Sequence, residues 1–228
     1  MVQVISLGGS IISPGDVDTG FLRSLRNVVV EHITDSANKL IFVTGGGAPA
    51  RRYQEAYRDV VTDADDTSLD WIGVAATRLN AELIRAVFSE RCNDPVVTDP
   101  TADCRFSGDV LVAAGWKPGF STDYDAVLLA ERFGARSVIN LSNVAKVYTA
   151  DPRKHPEAEA LEHVSWAEFR GIVGDTWTPG SNLPFDPVAS QKAERAGLQV
   201  IFAAGRDVDN LRQLLAGSSF EGTTIGPE

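Results

Sequence analysis

Three glycine stretches stand directly behind short apolar runs: Gly8-Gly9-Ser10 after Val2–Leu7, Gly45-Gly46-Gly47 after Lys39–Thr44, and the Gly115 to Gly119 stretch after Asp109–Ala113. Glycine lets backbone N–H groups approach a ligand closely and adopt positive φ, and a helix that follows adds its positive end, so such turns can cradle phosphate oxygens. One turn of this kind reads equally well as a tight strand-to-helix connection. Three at the same end of successive strands point to a ligand, because α/β sheets bind ligands beyond the carboxyl ends of their strands. The chain has no G-x-x-x-x-G-K-[ST] segment, and GGGAPA does not fit G-x-G-x-x-G, so the motifs of the P-loop and Rossmann enzymes are both missing.

Charge and hydroxyl groups accompany these turns. Arg51 and Arg52 follow the second one by one helical turn, where a guanidinium can grip a phosphate with two parallel hydrogen bonds. Arg51 is the residue expected in that role; Arg52 reads equally as part of a solvated helix face. Pro118-Gly119-Phe120-Ser121-Thr122-Asp123 opens another helix with two hydroxyls and a carboxylate, more than capping needs. Asn143 to Pro152, NVAKVYTADP, places Asn, Lys, Tyr, Thr and Asp within ten residues behind an apolar strand.

The elements that must position these residues are legible from periodicity. Further strands are expected at Ser137–Leu141 and Gln199–Ala203, nearly all apolar, as in strands covered on both faces. Phe21, Leu22, Leu25, Val28 and Val29 recur at helical spacing after Asp18, and helices are expected near 48–61, 67–91, 124–134, 165–173, 187–197 and 207–216. Asp186-Pro187 reads as an N-cap followed by proline at the first helical position. Gly174 to Pro187 is the longest aperiodic stretch. Such alternation means an α/β fold with a parallel or mixed sheet under helices.

Composition limits the function further. Among 228 residues, 21 are Lys or Arg and 31 are Asp or Glu, a net charge of −10, which argues against wrapping nucleic acid. A hydrophobic share of 43% suffices for a core. Cys92 and Cys104 lack C-x-x-C spacing, the first residues lack a basic leader, and no run nears the roughly 20 apolar residues of a membrane span. A cytoplasmic protein without nucleic-acid or membrane partners is expected.

Taken in order, VISLGGS, VTGGGAPAR, DWIGVAATRLNA, GWKPGFSTDYDAVLLA, NVAKVYTADP, GSNLPFDPVA and EGTTI resemble the amino acid kinase superfamily along the whole chain, most closely the archaeal-type uridylate (UMP) kinases. The resemblance implies a single three-layer α/β/α domain over residues 1–228, with an acceptor-binding N-terminal part and an ATP-binding part from about 137. It implies transfer of the ATP γ-phosphoryl group to UMP, with Mg²⁺ entering with ATP and no metal ligands assigned, and a homohexamer built as a trimer of dimers. Carried over by residue, Gly45, Gly46, Gly47 and Arg51 match the acceptor phosphate segment, Asp70 the acceptor ribose, and Phe120, Ser121 and Thr122 the segment beside the uracil. Asp123 matches the acidic residue of the catalytic centre; Gly8, Gly9 and Ser10 match the turn over the transferred group. Ser142, Asn143, Tyr148 and Asp151 fall on the donor side. Thr77 and Asn80 match helix-packing and subunit-contact positions. Two departures stand out: Ser6 replaces a lysine common in the first strand, and NVDGVYT becomes NVAKVYT, gaining Lys146, which is read either as a compensating catalytic cation or as a surface turn residue. A kinase for another small acceptor, or a non-catalytic nucleotide-binding protein on the same fold, are the alternatives.

Overall fold

The computed structural model describes residues 1–152, 154–174, 176 and 183–227. Five apolar strands form the centre of the fold: β1 (Val2–Leu7), β2 (Lys39–Thr44), β3 (Val110–Ala113), β4 (Ser137–Ser142) and β8 (Gln199–Ala204). They run parallel in the order β3-β2-β1-β4-β8, with Ile5 paired to Phe42 on one side and Ile139 on the other. Parallel order puts every carboxyl end along one edge, so the turns behind β1, β2, β3 and β4 face the same space.

Helices cover both faces. α1 (Gly9–Ile12) is a single turn behind β1, followed by α2 (Thr19–Ser36); α3 (Gly47–Val60) and α4 (Asp66–Val87) follow β2. α5 (Thr122–Arg132) joins β3 to β4, α6 (Trp166–Val173) and α7 (Pro187–Arg195) precede β8, and α8 (Val208–Leu215) follows it. Alternation along the strands divides the core: Ile5, Leu7, Phe42, Val112 and Leu141 pack toward α2, the end of α4 and α8, whereas Val4, Ile41, Val43, Leu111 and Val138 pack toward α5, α6 and α7. Strands apolar on both faces are what a three-layer α/β/α arrangement requires.

Side-chain caps begin most of these helices. Asp18, Asp65, Ser121, Asp186 and Asp207 each accept the N–H of the residue three positions on, and Ser165 with Glu168 forms a capping box. Pro187 sits at the first position of α7 as its sequence suggests.

The structure corrects the sequence expectation in four places. α1 is unheralded, because a four-residue turn shows no periodicity. α4 ends at Val87 rather than near 91: Phe88 stacks on Phe42 at 5.4 Å, and the Arg91 carbonyl accepts the N–H of Asp109 and Val110, turning the chain toward β3. β5 (Val147–Tyr148) and β6 (Ala160–Leu161) make a small separate hairpin. β9 (Thr223–Gly226) and β7 (His163–Ser165) extend the main sheet beyond β8, with β9 antiparallel to β8. Of the aperiodic Gly174 to Pro187 stretch, Asp175 and residues 177–182 lie outside the described residues.

The turns behind β1 and β2 meet backbone to backbone. A Cβ on Gly9 would fall inside contact distance of the Gly47 nitrogen and the Gly45 carbonyl, and Gly47 holds φ +66°. Gly9→Ala is therefore expected to force the two turns apart, costing about 2 kcal/mol or more of stability. Urea unfolding compared with a neutral control such as Gly134→Asn checks this, and equal stability of both variants would show that the turns do not touch.

Candidate functional site

At the shared edge, the glycine turns are held from behind by α4. The Asn80 side-chain amide donates to the Gly45 and Gly46 carbonyls at 2.7 and 3.1 Å, and the Gly115 N–H donates to the Thr77 hydroxyl at 2.8 Å. The Thr44 hydroxyl in turn donates to the Thr77 carbonyl at 3.0 Å. Thr77 and Asn80 are both buried within the chain, where they clamp two of the turns. Their helical spacing in the sequence gave no sign of this, since it fits plain core packing equally well.

Arg51 and Ser10 come together across the first two turns: the guanidinium donates to the Ser10 hydroxyl at 3.0 Å and to the Pro14 carbonyl at 3.4 Å. The side chain is exposed to solvent and pointed along the turns, where a phosphate can replace Ser10 as its partner. Arg52 points elsewhere, 3.9 Å from an exposed Asp16.

Behind β3, the chain from Gly115 to Ser121 forms an aromatic row. Trp116 and Phe120 lie 4.8 Å apart between ring centroids, Phe120 and Tyr124 5.0 Å, and the Lys117 ammonium sits 3.8 Å from the Trp116 ring centroid. Asp70 of α4 accepts the Gly119 N–H at 3.0 Å, which ties this loop to the helix behind the second glycine turn. Ser121 is occupied as the cap of α5, accepting the Tyr124 N–H at 3.2 Å; Thr122, half-buried, is the first residue of that helix.

Asp123 stands where the halves of the sheet meet. One carboxylate oxygen accepts the Ser6 hydroxyl of β1 at 2.9 Å and the Asn140 amide of β4 at 3.3 Å; the other accepts the Asp186 N–H ahead of α7 at 3.3 Å. Ser6 thus occupies the place of the missing lysine with a neutral donor. Burial pushes the Asp123 carboxyl up to about 6 and the nearby Asp186 charge adds to the effect, while the Ser6 bond opposes it. Two residues on, Asp125 is fully buried and accepts the Trp116 N–H at 3.0 Å; burial, with Asp123 and Asp99, pushes it up to about 7. Sequence reading missed Asp125, although a second acid among the apolar residues of an amphipathic helix was a visible irregularity.

The donor-side residues follow β4. The Ser142 carbonyl accepts the Gly205 N–H at 2.7 Å, joining the ends of β4 and β8, and the Gly8 N–H donates to the Leu141 carbonyl at 3.1 Å, joining β4 to the first glycine turn. Asn143 is exposed, Tyr148 is half-buried in β5, and the Asp151 carbonyl anchors a turn by accepting the Lys154 and His155 N–H groups. Lys146 is placed apart from Ser6 and Asp123: its ammonium lies 3.6 Å from Glu162, in a cleft it shares with His163, Ser218, Ser219 and Phe220.

The raised Asp123 value has a pH consequence. A carboxyl that binds its proton more tightly when folded contributes stability that is full below about 4 and lost as pH rises through about 6. Asp123→Asn is expected to shrink the difference in unfolding free energy between pH 5 and pH 8 by on the order of 1 kcal/mol, whatever its absolute cost. Urea titrations at the two pH values read this directly; an unchanged difference would mean that the carboxyl is not enclosed.

Comparison with known proteins places this geometry. The model of the amino acid kinase family matches residues 1–204. A uridylate kinase of Methanospirillum hungatei is 37% identical, with 97% of this chain and 93% of that protein covered, and one of Pyrococcus abyssi is 34% identical over 98% and 99%. The crystal structure of uridylate kinase from Archaeoglobus fulgidus superposes with a TM-score of 0.84 at 32% identity, covering 99% of this chain and all of that one. With residues 1–204 matched by the family model and nearly its whole length covered by these relatives, the chain belongs to the amino acid kinase family.

Proposed function

We propose that the protein is a UMP kinase, moving the γ-phosphoryl group of ATP onto the phosphate of UMP to give UDP and ADP. The observation that carries this reading is the contact of Arg51 with Ser10 across the touching glycine turns. It sets a bidentate phosphate grip beside a bed of backbone N–H groups, in a chain 34–37% identical to uridylate kinases over nearly its full length. An acceptor phosphate oxygen attacks the γ-phosphorus, the bond from that phosphorus to the β,γ-bridging oxygen breaks, and ADP leaves with the electron pair. An ionised phosphate needs no base, so the work of the protein is alignment and charge stabilisation.

In this reading Gly45, Gly46, Gly47 and Arg51 hold the acceptor phosphate, Asp70 its ribose side, and Phe120, Ser121 and Thr122 its ring. Gly8, Gly9 and Ser10 lie over the transferred group. Ser142, Asn143, Tyr148 and Asp151 bind ATP, which divides the chain functionally near residue 137. Among the described residues no group of three or more His, Cys, Asp or Glu could hold a metal ion. A partly buried carboxylate such as Asp123 would suit Mg²⁺ that arrives on the phosphates of ATP, since that ion keeps most of its ligands from water and substrate. The metal belongs here to the substrate, and Asp123 orients groups around it. Self-assembly, as a trimer of dimers, is part of the same reading: α3 buries only Ala48 and leaves Tyr53 and Val60 exposed, and α4, packed against it, leaves Trp71 and Leu79 exposed. Among the described residues no helix is long and apolar enough to cross a membrane.

A coupled assay for ADP release with UMP, CMP, AMP and acetylglutamate tests the assignment, with UMP expected to be the substrate turned over. In that assay Arg51→Ala is expected to raise the UMP KM about tenfold or more, the scale of a lost charge-assisted contact, with ATP binding largely intact. Unchanged UMP affinity by calorimetry would remove Arg51 from the phosphate site.

Lys146 is the remaining cation proposed for catalysis. Its flexible stem allows it to leave Glu162 for the donor phosphates and supply charge that Ser6 lacks. Lys146→Ala then lowers kcat and weakens ATP, with partial recovery in Lys146→Arg. Changes within about twofold, typical of a screened surface pair, would leave Lys146 as a partner of Glu162 alone.

A further inference from the structure

The Asp125 carboxyl is completely enclosed, and its only described bond is from the Trp116 N–H at 3.0 Å; its second oxygen, Oδ1, has no partner among the described residues. The residues that follow it on α5, Ala126, Val127, Leu129 and Ala130, are buried and apolar, so an apolar residue at 125 would satisfy packing without the cost of enclosing an acid. What the acid adds is a hold on one backbone amide of the loop behind β3.

That loop is gripped peptide by peptide. The Gly115 N–H is taken by Thr77, the Trp116 N–H by Asp125, the Trp116 carbonyl by Arg78 at 3.2 Å, and the Gly119 N–H by Asp70. Three of these holds come from α4. The hold through Asp125 comes from α5, whose first turn presents Asp123 to Ser6, Asn140 and Asp186. The aromatic row starts at Trp116 on the loop and ends at Tyr124 on α5, so the Asp125 bond closes a ring that fixes the row relative to Asp123.

We infer that Asp125 is a positioning residue for the acceptor: by holding the Trp116 amide it sets the distance between the aromatic row that receives the acceptor ring and the Asp123 cluster where transfer takes place. This rests on the UMP kinase reading above. The charged groups acting on Asp125 are Asp123 on its own helix and Asp99 from the segment ahead of β3, while Arg78 holds the carbonyl of Trp116. The Trp116 N–H needs only an acceptor oxygen at this place, which a carboxamide also offers, so Asn can replace Asp.

Steady-state kinetics on three variants test this. Asp125→Ala is expected to raise the UMP KM about tenfold while the ATP KM stays within about twofold and kcat within about threefold, as for loss of one buried hydrogen bond that only places the acceptor. Asp125→Asn, which keeps an acceptor for the Trp116 N–H, is expected to recover the UMP KM to within about threefold of the parent. Asp125→Ser, whose hydroxyl is too short to reach, substitutes for Asp125→Ala if that variant does not fold. Equal increases in both KM values, an unchanged UMP KM, or an Asn variant as impaired as the Ala variant would each overturn the inference.

Amide hydrogen exchange on the nucleotide-free protein separates this from the functional reading. Exchange at Trp116 is expected to quicken about tenfold or more in Asp125→Ala and to stay near the parent rate in Asp125→Asn. If the parent phosphorylates no UMP, the functional reading falls, and exchange alone decides whether Asp125 holds the loop. Parental exchange at Trp116 in Asp125→Ala would overturn that hold even in an active enzyme.

Discussion

Everything at the candidate site depends on a contact that has room for no side chain. Gly9 lies against Gly45 and Gly47, backbone on backbone, at the adjoining carboxyl ends of β1 and β2. Two glycine turns can act on one ligand only if they are a few ångströms apart, and the spacing of paired strands sets the base of that separation. Glycine does the rest by removing the Cβ atoms. Ser10 and Arg51, one from each turn, then meet without either helix having to bend.

The second organising element is the first turn of α5. Ser121 caps it, Asp123 reaches across the sheet to β1 and β4, and Asp125 turns back to the loop behind β3. Acids are favoured at a helix N-terminus by the local dipole, which offsets part of the cost of burying two of them there. Aromatic row, Asp123 cluster and sheet are in this way referred to one rigid piece of backbone.

Much of this was legible in the residues. The five parallel strands announced themselves as apolar β-branched runs, and the three glycine turns fell at their shared edge because parallel connectivity leaves no other choice. What could not be read has physical reasons as well. β5, β6, β7 and β9 are two to four residues long, too short for period-two alternation to show. Asn80 and Thr77 look like ordinary core positions until the turns they clamp are in place. Lys146 is a matter of direction: the sequence puts a cation behind β4, and only the fold shows it leaning toward Glu162 at the antiparallel edge. Asp125 was hidden by the stronger signal of Asp123 two residues before it.

The partners of Asp123 come from positions 6, 140 and 186. Contacts so distant in sequence make no local nucleus, and their loop-closure cost is met only when both halves of the sheet have joined. During synthesis β1, β2 and β3 can pair while the ribosome is still adding β4, yet Asp123 has neither Asn140 nor Asp186 to meet until most of the chain has emerged. Half-made molecules therefore carry two glycine turns already in contact, with the Gly8 N–H still without its Leu141 partner and an unfinished centre beside them. The Asp123 cluster is the last part of the site to assemble, with the closing of the sheet.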